Sequence, residues 1–276
     1  MTAATALRLL VFMPPTPFDI AASADWIAAR RLAGLPLADM PAALKPAGED
    51  VGYAVQAALR DRLVPHLGAS IGWKVGATTQ AMQALLNVPA PCAGEMHAGG
   101  LRRLGAAYSH AGFRRVGVEC EIAMEIARPL GDAGLVDAQM AAAAVGRIFP
   151  AAEIVDDRYG DFRNFGVPAL IADFFFHHGV VLGEPVADWH SIDLAAAIGT
   201  TRANGEVKVT GRGADVLGHP MRSLAWLANR LRALGRALEP GQIVMTGSLP
   251  LPYWASAGDR VEIEIAGLGA VRVDFD

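Results

Sequence analysis

Residues Val116–Ile126 alternate with a period of two. Val116, Val118, Cys120, Ile122, Met124 and Ile126 fall on one side, and Gly117, Glu119, Glu121, Ala123 and Glu125 on the other. Side chains of an extended chain point alternately to opposite faces, so this is a β-strand with one apolar face and one face of carboxylates. Glu119 and Glu121 emerge on the same side, about 6.6 Å apart along the strand. Two carboxylates at that spacing can reach one hard cation, and Gly117 leaves room beside them. Glu153 opens a further short apolar segment, 153–155. Three glutamates around a divalent metal is one reading of the pattern. With no clustered His or Cys, an all-oxygen set favours Mg²⁺ or Mn²⁺ over Zn²⁺. The chain also carries a control. Residues 261–265, Val-Glu-Ile-Glu-Ile, have the same alternation, and a strand with one solvated face accounts for them fully. Pattern alone leaves both readings open for Glu119 and Glu121. Glu125 shares the face but lies four residues past Glu121, about 13 Å away, and falls outside any ligand set.

With 276 residues, 53% hydrophobic and 19% charged, the chain can bury a sizeable core as one large domain or a domain with an appended lobe. A net charge of −4 without a basic run points away from nucleic acid and from anionic membranes as partners. The two cysteines, Cys92 and Cys120, form no disulfide framework, and Cys120 reads as a buried free thiol. A cytoplasmic setting fits. The apolar run Leu9, Leu10, Val11, Phe12 and Met13, followed by Pro14, Pro15 and Pro17, is too short for a signal-peptide core or a membrane span. The expectation is a soluble protein.

The first third reads as helical: 23–32 with Ser23 as N-cap and Gly34 as stop, then a helix from Asp50 carrying Val51, Val55, Leu59 and Leu63 to Pro65 and Gly68. Residues 71–76 alternate as a strand, and strands and turns are expected on to residue 130. A short Ala-rich helix, 137–145, precedes strands at 153–155 and 180–182, separated by a charged irregular stretch at 156–164. A strand at 206–210, a helix at 221–234 and strands at 243–245, 261–265 and 271–273 complete the chain. This order predicts an α+β fold, with a helical region 1–70 and a strand-rich region 71–276 forming one compact unit.

Other constellations carry two readings each. Lys74, between Gly72 and Gly76 and beside Trp73, is either a surface lysine of an edge strand or a group for a substrate carboxylate, proton transfer or a Schiff base. Thr246-Gly247-Ser248 places two hydroxyls where a strand enters a turn, which a plain turn also explains. The glycine-rich stretch 211–220 lacks the Lys and Ser/Thr of a phosphate loop and the spacing of a dinucleotide fingerprint. His177 and His178 fall on opposite faces of a strand, His97 and His219 are isolated, and no nucleophile elbow is present.

Several of these stretches, in order, resemble the 2-keto-4-pentenoate hydratase and 4-oxalocrotonate decarboxylase group of the fumarylacetoacetate hydrolase superfamily. The resemblance is carried by Tyr53-Ala54-Val55-Gln56, Gly72-Trp73-Lys74-Val75-Gly76-Ala77-Thr78, Gly117-Val118-Glu119-Cys120-Glu121-Ile122-Ala123, Ala152-Glu153-Ile154-Val155-Asp156, residues 211–220, Leu224-Ala225-Trp226-Leu227-Ala228-Asn229 and Thr246-Gly247-Ser248-Leu249. It implies a mixed β-roll with peripheral helices, Mg²⁺ or Mn²⁺ on Glu119, Glu121 and Glu153, and a homo-oligomer, with association to other pathway enzymes seen on this scaffold. The implied substrate is a 2-hydroxy-2,4-dienoate or its 2-oxo tautomer from aromatic meta-cleavage catabolism. A metal on its carboxylate and 2-oxygen stabilises an enolate; protonation at C5 then allows water to add at C4. Decarboxylation or C–C hydrolysis uses the same centre. Lys74 is the implied proton-transfer or carboxylate-neutralising group, and Thr246, Ser248, Asp156 and Arg158 the substrate-binding set. The chain departs from the group in three places: Phe174 in Asp173-Phe174-Phe175-Phe176 stands where an Asn is usual, Ala98 where an acid often stands, and Asp157 where a Ser is common. These put the substrate's distal end in question and leave His97 as a second proton-transfer candidate.

Overall fold

The computed structural model describes residues 17–132 and 134–276. The apolar run from Leu9 to Met13, with Pro14 and Pro15, lies outside the described residues. In chain order the elements are α1 (Ile20–Leu32), α2 (Glu49–Leu67), β1 (Ser70–Gly76), α3 (Gln80–Leu86), β2 (Cys92–His97), β3 (Leu101–Arg103), β4 (Ala106–Tyr108) and β5 (Val116–Ile126). They continue through α4 (Ala138–Ala144), β6 (Val145–Asp156), α5 (Phe162–Phe165), α6 (Val167–Ala172), β7 (His177–Leu182), β8 (Ile198–Ala203) and β9 (Glu206–Arg212). The last are α7 (Pro220–Ala233), β10 (Ile243–Ser248), β11 (Tyr253–Trp254), β12 (Arg260–Ile265) and β13 (Gly269–Phe275).

Local chemistry explains where these differ from expectation. Asp19, not Ser23, caps α1: its carboxylate accepts the Ala22 N–H at 2.9 Å. Ser23 lies buried inside the helix and donates to the Leu44 carbonyl at 2.9 Å. Thr79 caps α3, a helix in a region read as strands and turns, by accepting the Met82 N–H at 3.1 Å. Strand β6 runs for twelve residues, not three. From Ile148 to Asp156 every side chain is buried, so no alternation marks it, and Pro150 inside it reads as a strand breaker. Helices α5 and α6 fall in or beside the charged stretch taken as irregular.

The strands form two curled sheets. The larger runs β2-β1-β10-β5-β6-β7-β3, with β11 also on β5; the smaller runs β4-β13-β12-β8-β9. Pairs β1–β10, β3–β7 and β4–β13 are parallel and the others antiparallel. Strands β12 and β13 pack across β5 and β6. One continuous apolar cluster joins Ile27 of α1 and Leu59 of α2 to Trp73, Val118, Cys120 and Ile122 of the large sheet and Val261 and Ile263 of the small one. The opposite face of the large sheet closes on a second cluster of Met96, Ala123, Phe149, Val180 and Met245. Ala123 shares its face of β5 with Glu119 and Glu121, so the carboxylate face also lies indoors. No helix among the described residues is long and apolar enough to cross a membrane.

Strands β1 and β10 approach closely at Gly72, which pairs with Ile243. Its φ is +142°, and a Cβ there would stand 1.9 Å from the Ile243 carbonyl oxygen. Gly72→Ala is therefore expected to lower stability by about 3 kcal/mol or more, read as a fall in the urea midpoint. Gly112→Ala, with open space around its Cβ position, should stay within about 0.5 kcal/mol.

Candidate active site

Antiparallel pairing of β5 and β6 sets Glu119 directly opposite Glu153, and Glu121 follows two residues along the same face. One carboxylate oxygen from each of the three lies within 4.8 Å of the others. Glu121 and Glu153 are fully buried. The control strand behaves in the opposite way. On β12, Val261, Ile263 and Ile265 are buried while Glu262 and Glu264 are exposed. Identical alternation thus yields a solvated face where the sheet is covered on one side, and a buried carboxylate cluster where it is covered on both. Glu125 sits apart and takes two contacts from Arg147, at 2.7 and 2.8 Å.

Each carboxylate is fixed by neighbours. The Gly247 N–H donates to Glu121 Oε2 at 2.8 Å. His177 Nδ1 donates to Glu153 Oε1 at 2.8 Å, and Lys74 Nζ stands 3.3 Å from the same oxygen. Lys74 is only 2% exposed, because β1 is an interior strand between β2 and β10. That removes the edge-strand reading. Glu121 Oε1 and Glu153 Oε2 are buried with no hydrogen-bond partner.

Three carboxylates face one ammonium, and the protonation states follow. Burial, then Glu153, raises Glu119 to about 7. Burial, then Glu153 and Glu119, carries Glu121 well above its ordinary range. Burial opposes ionisation of Glu153 too, but Lys74 and His177 outweigh it and hold that carboxyl low. Burial would lower Lys74, yet the three glutamates together raise it, so it is an ammonium at neutral pH. His177 is lowered, chiefly by burial, and is a neutral imidazole with its proton on Nδ1. Two carboxyls that burial and their neighbours keep from ionising, two orphaned carboxylate oxygens and an all-oxygen donor set fit a hard divalent cation.

Lys74 and Glu119 open onto a cavity of about 450 Å³ whose wall includes Met82, Leu86, Phe162, Phe175, Phe176 and Trp254. The profile described as "Fumarylacetoacetate (FAA) hydrolase C-terminal" matches residues 100–276. The chain belongs to the fumarylacetoacetate hydrolase family. Among its relatives, a 2-hydroxyhexa-2,4-dienoate hydratase from Comamonas testosteroni is 35% identical over 74% of this chain and 78% of its own. A 4-oxalocrotonate decarboxylase from Pseudomonas putida is 30% identical over 81% of this chain and 84% of its own. The solved 4-oxalocrotonate decarboxylase from Pseudomonas putida G7, complexed with magnesium and adipate, superposes with a TM-score of 0.86 at 27% identity, covering 95% of this chain and 99% of that one.

Within this family fold, the other residues expected at the site are dispersed. Ser248 shares a narrow recess with Glu119, and its hydroxyl is buried without a partner. Thr246 instead donates to the Ile122 carbonyl at 2.8 Å, tying β10 to β5. Asp156 Oδ1 accepts the N–H groups of Arg114 and Arg115 at 2.9 and 3.0 Å. Arg158 pairs with Asp173 at 2.5 Å; Arg31 and the Tyr159 hydroxyl meet the same carboxylate at 2.8 and 2.7 Å. His97 lines a different cavity, of about 170 Å³, together with Arg31, Asp156 and Arg158. Neither His97, Asp156 nor Arg158 lines the cavity that holds Lys74. Sequence reasoning passed over His177, because two adjacent histidines point to opposite faces; only one of them needed to reach Glu153. The Gly247 N–H donor left no side-chain signal at all.

Mn²⁺ titration tests the cluster. Glu121→Gln and Glu153→Gln are expected to weaken binding at least tenfold, while the control pair Glu262→Gln and Glu264→Gln leaves it unchanged. Glu119 and Glu121 hold protons that an incoming cation displaces, so apparent affinity should rise with pH through about 7. Without metal the sign reverses for stability. A carboxyl raised to about 7 contributes stability that is present below its unfolded value and lost as pH rises through its folded one. Calorimetric titration in buffers of different ionisation enthalpy, and melting between pH 5 and 8, read the two effects.

Proposed function

We propose that this chain is a metal-dependent hydro-lyase that adds water to a 2-hydroxy-2,4-dienoate or its 2-oxo-4-enoate tautomer. Glu119, Glu121 and Glu153 would hold Mg²⁺ or Mn²⁺. When bound, that ion supplies Lewis acidity toward the 2-oxygen and carboxylate of a 2-oxo acid. The observation that carries the proposal is the placement of Lys74 Nζ, 3.3 Å from Glu153 and open to the cavity. The glutamates keep Lys74 as an ammonium, the form that delivers a proton or neutralises a substrate carboxylate. Schiff-base chemistry needs the free amine instead. His177 holds Glu153 in one orientation through its Nδ1–H, and the apolar wall excludes water from the rest of the substrate. A homo-oligomer in the cytoplasm, associating with enzymes of the same pathway, completes the proposal.

A second activity, decarboxylation of a 4-oxalocrotonate-type acid, is favoured by the superposition on the Pseudomonas putida G7 enzyme along nearly the whole chain. Protein with Mg²⁺ and 2-hydroxypenta-2,4-dienoate should lose the dienol absorbance and form 4-hydroxy-2-oxopentanoate. No turnover there, with CO₂ released from 4-oxalocrotonate, would establish the decarboxylase. Lys74→Met is expected to lower kcat by about a hundredfold or more while Mn²⁺ still binds. Borohydride trapping of Lys74 with a 2-oxo acid, together with indifference to chelators, would overturn both.

A further inference from the structure

The cavity in front of Lys74 is larger than an unsubstituted dienoate requires. Its volume of about 450 Å³ falls within the roughly 300–1,000 Å³ of pockets that take drug-sized ligands, whereas 2-hydroxypenta-2,4-dienoate is a fragment. The excess space is apolar. Beyond Lys74 and Glu119, the charged side chains on its lining are Arg115 and Arg163. The Arg115 guanidinium is already placed over the Trp254 ring at 4.0 Å and faces Asp157 at 3.7 Å. Arg163 is exposed and stands 5.9 Å from the Phe162 ring. A carboxylate meeting Arg163 would remain in water, where such pairs contribute little.

The wall is also built against backbone preference. Phe174, Phe175 and Phe176 have φ of +57°, +51° and +69°, a left-handed turn of three residues without a glycine. It turns the Phe174 ring away from the cavity and against His97, with centroids 5.2 Å apart. Phe175 and Phe176 go to the cavity wall. Lys74 Nζ stands 5.2 Å from the Phe175 centroid, and Phe176 meets Phe162 edge-on at 5.7 Å. Gly76 makes this possible, because a Cβ there would lie 2.4 Å from the Phe175 ring. Asn or Gly would suit the turn better; the aromatic side chains are what this strained segment supplies.

We propose that the substrate carries an apolar distal group, an alkyl chain or aryl ring beyond the dienoate, seated against Phe162 and Phe176, and that a distal carboxylate is disfavoured. This rests on the proposed 2-hydroxydienoate chemistry for the polar end. Calorimetric titration of the Mn²⁺-loaded protein with 2-oxobutanoate, 2-oxohexanoate and 2-oxooctanoate should show affinity rising about threefold to fourfold per methylene. The dicarboxylate 2-oxoadipate should bind at least tenfold more weakly than 2-oxohexanoate. Phe176→Ala and, independently, Phe162→Ala should each flatten the chain-length slope. In turnover, kcat/KM for 6-alkyl or 6-phenyl 2-hydroxydienoates should exceed that for 2-hydroxypenta-2,4-dienoate. Hydration of the short substrate with no gain from chain length, or tighter binding of the dicarboxylate, overturns the apolar distal site and leaves the hydratase standing. A chain-length slope in binding with no hydration of any dienoate supports the apolar site and overturns the hydratase.

Discussion

Three carboxylates, two of them fully buried, gathered against one ammonium are the constraint around which this molecule is arranged. Charged groups leave water at a cost that falls only when partners stand close by. Here the partners come from four strands. Glu119 and Glu121 are on β5, Glu153 on β6, Lys74 on β1 and His177 on β7. The sheet order places β5 and β6 side by side, with β10 between β5 and β1 and β7 beyond β6. Backbone pairing therefore sets the cluster before any side chain chooses a rotamer. Burial first, and then the repulsion among carboxylates that one ammonium does not neutralise, raises Glu119 and Glu121, while Lys74 and His177 hold Glu153 low. A cluster left this unfavourable is a site waiting for positive charge.

The same logic explains why small residues crowd the centre. Gly247 brings its N–H to Glu121 with φ at +110°, and a Cβ there would lie 2.2 Å from the Thr78 hydroxyl oxygen. Gly76 leaves space for the Phe175 ring. Against these, the left-handed turn through Phe174, Phe175 and Phe176 costs about 1–2 kcal/mol per residue. It persists because both ends are fixed. Before it, Asp173 is gripped by Arg31, Arg158 and Tyr159. After it, β7 pairs with β6 and carries His177 to Glu153. Arg158 and Asp173 thus anchor the turn that carries Phe175 and Phe176 to the cavity wall.

Much of the centre was legible in the sequence because β-pairing has a simple grammar. Alternation identified β5, the short apolar segment at 153–155 and the glycine-flanked strand at 71–76 offered Glu153 and Lys74, the resemblance joined them into one site, and the structure brings all four groups together. The rest was hidden for physical reasons. Strand β6 is buried on both faces and shows no alternation. Helix α3 hinges on one threonine cap. Asp156 and Arg158 have the chemistry of substrate ligands, yet their hydrogen bonds run to backbone amides and to Asp173, and they line the His97 cavity and not that of Lys74. Residue type advertises what a group can bind, and only packing reveals whether it is free to do so.

That distinction bears most on the comparison of β5 with β12. Both present Glu-x-Glu on one face, and both bury the alternate positions. The glutamates of β12 face water, where their charge is solvated. Those of β5 face the inside of a curled sheet, closed further along by Ala123, Phe149 and Met245. Nothing within either pentapeptide separates the two outcomes. The difference lies in what the chain builds over each face, and for β5 that cover is supplied by residues distant in sequence: Lys74, His177 and the strained Phe175. Those three set an ammonium, a fixed Glu153 and an apolar wall beside the carboxylates, so the groups that make burial tolerable are the ones the proposed hydration would use.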